Sequence, residues 1–200
     1  MKSVLVSTRP KWCEKICHEI GKTENGKPIY EKRIEVRKTA PKKVPFKAYI
    51  YETKYATETP WVDEDGHFIY KGRGQVIGEF ICEKISIYAH LKNLTSFNDI
   101  GLPCGKYDSY AIWTDEFKEM CLTWTEIENY GKSKTLYGWR ISDLKIYDKP
   151  KELSEFNRPC SYAGLCFSCD RAKFTSKGDR VCEAMLTRPP QSWCYVEELK

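Results

Sequence analysis

Lys32-Arg33-Ile34-Glu35-Val36-Arg37-Lys38 is the stretch on which the reading of this chain turns. Successive side chains of a β-strand point to opposite faces. Taken as a strand, the segment sends Ile34 and Val36 into a core and sets Arg33, Glu35 and Arg37 on the opposite, polar face. Lys32 opens it, where a long amine reaches over the rim. A carboxylate with an arginine two residues to either side is a charge partner for both. Charged runs also decorate ordinary solvated edge strands, so the surroundings have to decide between a site and a surface.

The 200-residue chain carries 33 Lys and Arg against 28 Asp and Glu, a net charge of +5. That length suits one domain, or one with a small appendage, with a real core. The charge is unevenly placed. Residues 1–50 hold 13 Lys and Arg against 5 Asp and Glu, whereas the remainder holds 20 against 23. A basic first quarter on a nearly neutral body marks a localised anionic partner, of which nucleic acid is the commonest. A small phosphorylated ligand fits as well. No apolar run approaches the ~20 residues of a membrane span, and Val4-Leu5-Val6 is too short for a signal-peptide core. The expectation is a cytoplasmic protein with no membrane partner. In a reducing compartment its ten cysteines are for burial, metal binding or reactivity rather than cross-linking.

Outward from the charged strand, Lys2–Ser7 reads as a strand, followed by a helix capped at Thr8 with Pro10 in its first turn. Cys13, Ile16, Cys17 and Ile20 recur at helical spacing as far as Gly21. Lys22–Glu31 is a loop or hairpin tip, with Asn25-Gly26 and Pro28. Phe46–Thr53 alternates as a strand, and Asp65-Gly66 marks a hairpin between Trp61-Val62 and Phe68-Ile69-Tyr70. Gln75–Tyr88 reads as one long bent strand. Residues 89–113 are illegible, apart from loop signals at Gly101, Pro103 and Gly105. Thr123-Trp124-Thr125-Glu126 is a capping box for a helix ended at Gly131. Leu136–Tyr147 and Ser192–Val196 complete the strands. Short strands with two or three helices, in no regular βαβ order, predict an α+β protein built as a compact β-barrel with flanking helices.

These residues resemble the ASCH domain, a branch of the PUA-like superfamily. The similarity runs through Val4-Leu5-Val6-Ser7 with Pro10–Ile16, then Lys32 to Arg37 against the signature G-x-K-x-x-E-x-R. It continues in Val76–Phe80, Tyr137-Gly138-Trp139-Arg140-Ile141 and Arg188–Trp193. It covers roughly residues 1–155 and 188–200, and looks like the form carried by phages and prophages, which implies a bacterial host cell. The resemblance implies a PUA-like (ASCH) β-barrel spanning 1–156, completed by 188–200. It also implies a cleft lined by Lys32, Glu35 and Arg37, and RNA binding or RNA-directed chemistry. The chain departs from the pattern twice. The signature's glycine is replaced by the inserted Lys22–Glu31, and Glu35 stands where an amidohydrolase branch has its threonine nucleophile.

Cys160-x5-Cys166-x2-Cys169-x12-Cys182 falls in an insertion, residues 157–187, that lacks apolar periodicity. Thiolates two residues apart bind one ion from a tight turn, so four cysteines here predict a structural, zinc-knuckle-like site in which Zn2+ substitutes for a core. Unliganded cysteines and disulfides are the alternatives. Cys13, Cys17, Cys82, Cys104, Cys121 and Cys194 read as core.

Three functions compete. In the leading one the chain is an RNA-binding module: Lys32, Arg33, Arg37, Lys38, Lys42 and Lys43 meet phosphate beside Glu35, and aromatics such as Trp61 or Tyr70 stack bases. In the second it is a hydrolase of a nucleotide or RNA, with Glu35 as base and Lys32 and Arg37 stabilising negative charge. An ion-paired carboxylate is a weak base, and His18, His67 and His90 form no constellation with it. In the third it is a phage protein that binds a host factor or nucleotide signal through the same cleft.

Overall fold

The computed structural model describes residues 2–54, 61–62, 68–69, 72–88, 116–132, 134–160, 172–174, 178 and 180–199. The chain divides into two compact units. One comprises Met1–Pro10, Phe46–Phe80 and Leu144–Lys200, the other Lys11–Pro45 and Ile81–Asp143.

The first unit is built on a five-stranded sheet. Its order is β11 (Ser142–Lys151), β8 (Val76–Cys82), β5 (Phe46–Glu52), β1 (Lys2–Thr8), β14 (Trp193–Val196). β1 runs parallel to β5, with Leu5 opposite Tyr49, and antiparallel to β14, with Leu5 opposite Cys194. Both faces of β1 and β5 are buried. Leu5, Tyr49, Tyr51, Val76, Phe156, Leu186 and Val196 form one core cluster. Tyr49 meets Phe156 edge-on at 5.0 Å, and its hydroxyl accepts a hydrogen bond from the Leu199 backbone N–H at 3.0 Å. Two short hairpins belong to this unit: β6 (Trp61–Val62) with β7 (Phe68–Ile69), and β12 (Lys173–Phe174) with β13 (Arg180–Val181). The turn residues of the first hairpin, Asp65 and Gly66, lie outside the described residues, as does Tyr70.

The second unit carries a three-stranded antiparallel sheet ordered β4 (Ile34–Arg37), β10 (Leu136–Arg140), β9 (Ile85–Tyr88). Ile34 and Val36 enter its core with Tyr88, Met120, Ile127 and Leu136. α1 (Pro10–Cys17) leads into a hairpin of β2 (Glu19–Lys22) and β3 (Pro28–Tyr30). α2 (Trp124–Gly131) has the capping box its sequence announces. Thr123 Oγ1 accepts from the Glu126 N–H at 3.2 Å, and Glu126 Oε2 accepts from the Thr123 N–H at 2.9 Å.

The class is α+β, with mixed sheets and few helices, but no closed barrel is found among the described residues. The reason lies in two breaks. The run read as one bent strand, Gln75–Tyr88, is interrupted at Glu83-Lys84, so β8 joins the five-stranded sheet and β9 the three-stranded one. Leu136–Tyr147 likewise breaks at Ile141, whose N–H donates to the Arg33 carbonyl at 2.9 Å. The first helix is also shorter than its periodicity predicts. Its last helical bond, His18 N–H to Glu14 C=O, is 2.9 Å long, and Ile20 sits in β2, exposed. No helix among the described residues is long and apolar enough to cross a membrane.

Candidate functional site

The charged strand is placed by long-range pairing. β4 lies against β10 with Glu35 opposite Trp139, Val36 opposite Gly138 and Arg37 opposite Tyr137. Just before the strand, the Lys32 N–H donates to the Lys15 carbonyl at 3.0 Å and the Arg33 N–H to the Glu119 carbonyl at 2.7 Å. These bonds fix where the chain enters the sheet, and with it the direction of the Lys32 side chain.

Both faces of β4 are buried. Lys32, Glu35 and Arg37 retain 2%, 5% and 7% of their exposure, so the face read as polar and open is enclosed, and Lys32 is under cover instead of at the rim. The three side chains form a row. Arg37 Nη2 lies 2.6 Å from Glu35 Oε1, and Lys32 Nζ lies 3.5 Å from Glu35 Oε2. Lys32 also donates to the Met120 carbonyl at 2.6 Å, and its ammonium stands 5.2 Å from the centre of the Trp12 ring. Glu35 Oε2 is buried, and no donor among the described residues gives it a well-formed hydrogen bond. Burial pushes the Lys32 pKa below its ordinary value, with the Glu35 charge opposing that shift.

The other sequence-predicted residues are placed differently. Arg33 is half-exposed and pairs with Glu119, 3.3 Å from its Oε1. The other oxygen of Glu119 accepts from Arg140 at 3.0 Å. Lys38 lies with its ammonium 4.9 Å from the centre of the Tyr130 ring, and Lys42 and Lys43 are exposed. Two aromatics that the sequence reading did not single out stand beside the row. Trp12 of α1 has the ammonium groups of both Lys11 and Lys32 near its ring, at 4.9 and 5.2 Å. Tyr130 of α2 hydrogen-bonds with Arg37 through its hydroxyl. A signal for Trp12 was present, since an aromatic in the first turn of a helix directly after a lysine is a cation–π candidate. Tyr130 gave none.

In chemical terms the site gathers a lysine, a carboxylate and an arginine out of water. It can attract an anion, and it presents a carboxylate oxygen that can accept a hydrogen bond. The aromatics named as stacking candidates from sequence, Trp61 and Tyr70, cannot be assigned such a role, because their side chains lie outside the described set. Of the four cysteines expected to hold zinc, Cys160 is exposed and Cys182 half-buried, while Cys166 and Cys169 lie outside the described residues. Among the described residues no three His, Cys, Asp or Glu side chains gather as a metal site. Cys13 and Cys82 are buried as expected, whereas Cys17, Cys121 and Cys194 are partly exposed.

No protein-family model and no curated protein matches the sequence. Solved structures of the ASCH protein from Zymomonas mobilis do match in backbone. A serine-to-alanine variant gives a TM-score of 0.50 at 15% identity, over 98% of this chain and 89% of that one. The unsubstituted protein gives 0.47 at 13% over the same shares, and a tyrosine-to-phenylalanine variant 0.45 at 16% over 76% and 77%. Identities this low speak of architecture only. With the serine-to-alanine variant superimposing along nearly its whole length, this chain has an ASCH-like fold.

Proposed function

We propose that the chain is an RNA-binding module of the kind its fold suggests, with the Lys32–Glu35–Arg37 row as its electrostatic floor. The observation that carries this reading is the gathering of Lys32, Glu35 and Arg37 at 2–7% exposure on one strand. Lys32 is enclosed and already engaged, so phosphate contact falls to the exposed Lys42 and Lys43 and to Lys38. The Glu35 Oε2 atom, short of a donor, is then an acceptor for a base N–H, and the partly exposed Trp12 and Tyr130 offer stacking surfaces.

The same Oε2 atom supports a second reading, a hydrolase in which Glu35 takes a proton from water. Against it, Oε1 is tied to Arg37 at 2.6 Å.

Fluorescence anisotropy with a labelled single-stranded RNA, across a salt series, tests the binding reading. Affinity should fall as salt rises. The Lys42→Gln/Lys43→Gln protein should bind more weakly, with a log–log salt slope shallower by about 1.4, from ~0.7 per phosphate contact on a single strand. Absence of binding at low salt refutes the proposal. Release of product from the same RNA by the wild-type protein would favour the hydrolase.

A further inference from the structure

We propose that β11 is the interface of a symmetric dimer, in which it pairs antiparallel with the same strand of a second copy of this chain. The inference is independent of the RNA reading and rests on the five-stranded sheet alone.

β11 closes one end of that sheet, with β8 on its inner side and no strand beyond it among the described strands. At ten residues it is the longest strand described, about 33 Å at the usual rise per residue. It is also open to solvent. Asp143, Lys145, Ile146, Asp148 and Lys149 are exposed, Ile146 at 37%. β1 and β5, deeper in the same sheet, are buried on both faces. A long sheet edge offers a row of backbone donors and acceptors to any arriving strand, and proteins ordinarily shorten, cover or charge it.

The side chains say which strand fits. When a strand pairs antiparallel with its own copy, the two-fold axis stands normal to the sheet, and facing residues lie on the same side of it. Facing pairs therefore join two odd or two even positions. With the axis on Ile146, Asp143 faces Lys149 of the second copy and Lys149 faces its Asp143, giving two opposite-charge pairs. Lys145 faces Tyr147, along whose ring a lysine stem can lie; the Tyr147 hydroxyl is already held by Glu79 at 2.6 Å. Ile146 meets its own copy on the axis, flanked by Leu144 facing Asp148. The adjacent registers are unfavourable. Moving the axis to Tyr147 sets Lys145 against Lys149 twice, and moving it to Lys145 sets that lysine against itself. Like charges directly opposite destabilise a strand pair. The two lysines thus turn away a slipped strand and admit the one centred on Ile146, which is how a charged edge selects a single partner.

The ends of the pairing are marked as well. Pro150 has no N–H to give, and proline within a sheet is confined to edges. Asp143, at the other end, has φ +46°, outside the extended region. Nine positions, from Ser142 to Pro150, are shared between the copies, and the two sheets of five join into one of ten. A single strand pair lies at the small end of specific interfaces, so the dimer forms as concentration rises.

Sedimentation velocity of the full chain, from micromolar to submillimolar concentration in low salt with reducing agent, is the test. The wild type should pass from monomer to dimer. Asp143→Lys and Lys149→Asp each convert the charge pairs to like-charge pairs, and each should weaken association about tenfold. An equimolar mixture of these two variants restores opposite charges at both positions and should dimerise as the wild type does. Because Asp143→Lys can strain the backbone, Ile146→Asp is an independent readout: it sets two carboxylates together on the axis and should stay monomeric with an unchanged circular dichroism spectrum. A wild type that is monomeric throughout, an Ile146→Asp protein that dimerises, or a mixture no better than its separate components each overturns the proposal.

Discussion

Replacing Glu35 by glutamine is the sharpest probe of the buried row. The substitution keeps the size of the side chain and removes only its charge. Lys32 and Arg37, at 2% and 7% exposure, would then lose the carboxylate beside them. Removing one partner of a buried ion pair costs about 3–5 kcal/mol, chiefly because the other charge is stranded out of water. An exposed pair gives a scale for comparison: Arg33→Gln removes the 3.3 Å contact to Glu119 from a half-exposed arginine and should cost no more than ~1 kcal/mol. Urea unfolding followed by tryptophan fluorescence measures both, with hydrogen exchange of the β4 and β10 amides reporting the second unit directly. Adding Lys32→Met to Glu35→Gln sharpens the point. Methionine removes one stranded cation, so the double variant should lose less than the two single losses added together. A Glu35→Gln protein within ~0.5 kcal/mol of wild type, or strict additivity in the double variant, would refute the idea of three interdependent buried charges.

Two further outcomes follow from the same unit. Gly138→Ala should destabilise it by ~1–3 kcal/mol in the same urea experiment, because overpacking a filled core is costly. A Cβ there would lie 2.7 Å from the Tyr88 ring and 2.9 Å from the Ile34 side chain. Glu31 supplies a pH dependence: hydrogen bonds from Lys15 and His18 hold its carboxyl below the usual carboxylate range. Its stabilisation is therefore fully present above the unfolded pKa and disappears as pH falls through the lower folded value. The difference in stability between wild type and Glu31→Gln should be under ~1 kcal/mol at neutral pH, because the groups are partly exposed, and should vanish in acid. Carboxyl chemical shifts on titration would check the direction.

How far the sequence could be read depended on how local each feature was. The capping box at Thr123 and the hairpin around Gly26, which has φ +74°, were legible because their partners lie within a few residues. The alternation of Ile34 and Val36 with Glu35 and Arg37 was legible too, but the enclosure of the charged face was not. It depends on Trp139 standing opposite Glu35, and on the Met120 carbonyl, eighty-eight residues from Lys32, taking the ammonium. No periodicity within β4 carries that information. The predicted barrel failed for a similar reason. Apolar residues on both sides of Glu83-Lys84 read as one strand, and only the pairing partners reveal that the run is shared between two sheets. For the helix ended at Cys17, the stripe through Ile20 was a coincidence of spacing, overridden by the bonds of the β2–β3 hairpin.

The placement of β1 has a consequence for synthesis. This strand leaves the ribosome long before one of its two neighbours, β14, with Ser3 meeting Val196. Until Trp193–Val196 emerge, one row of β1 amides and carbonyls has no partner from that side. Such an open margin on an apolar strand invites pairing with another nascent chain. Slow translation or a stalled ribosome should therefore favour aggregation, and holding chaperones should matter most in the interval before Trp193 is added.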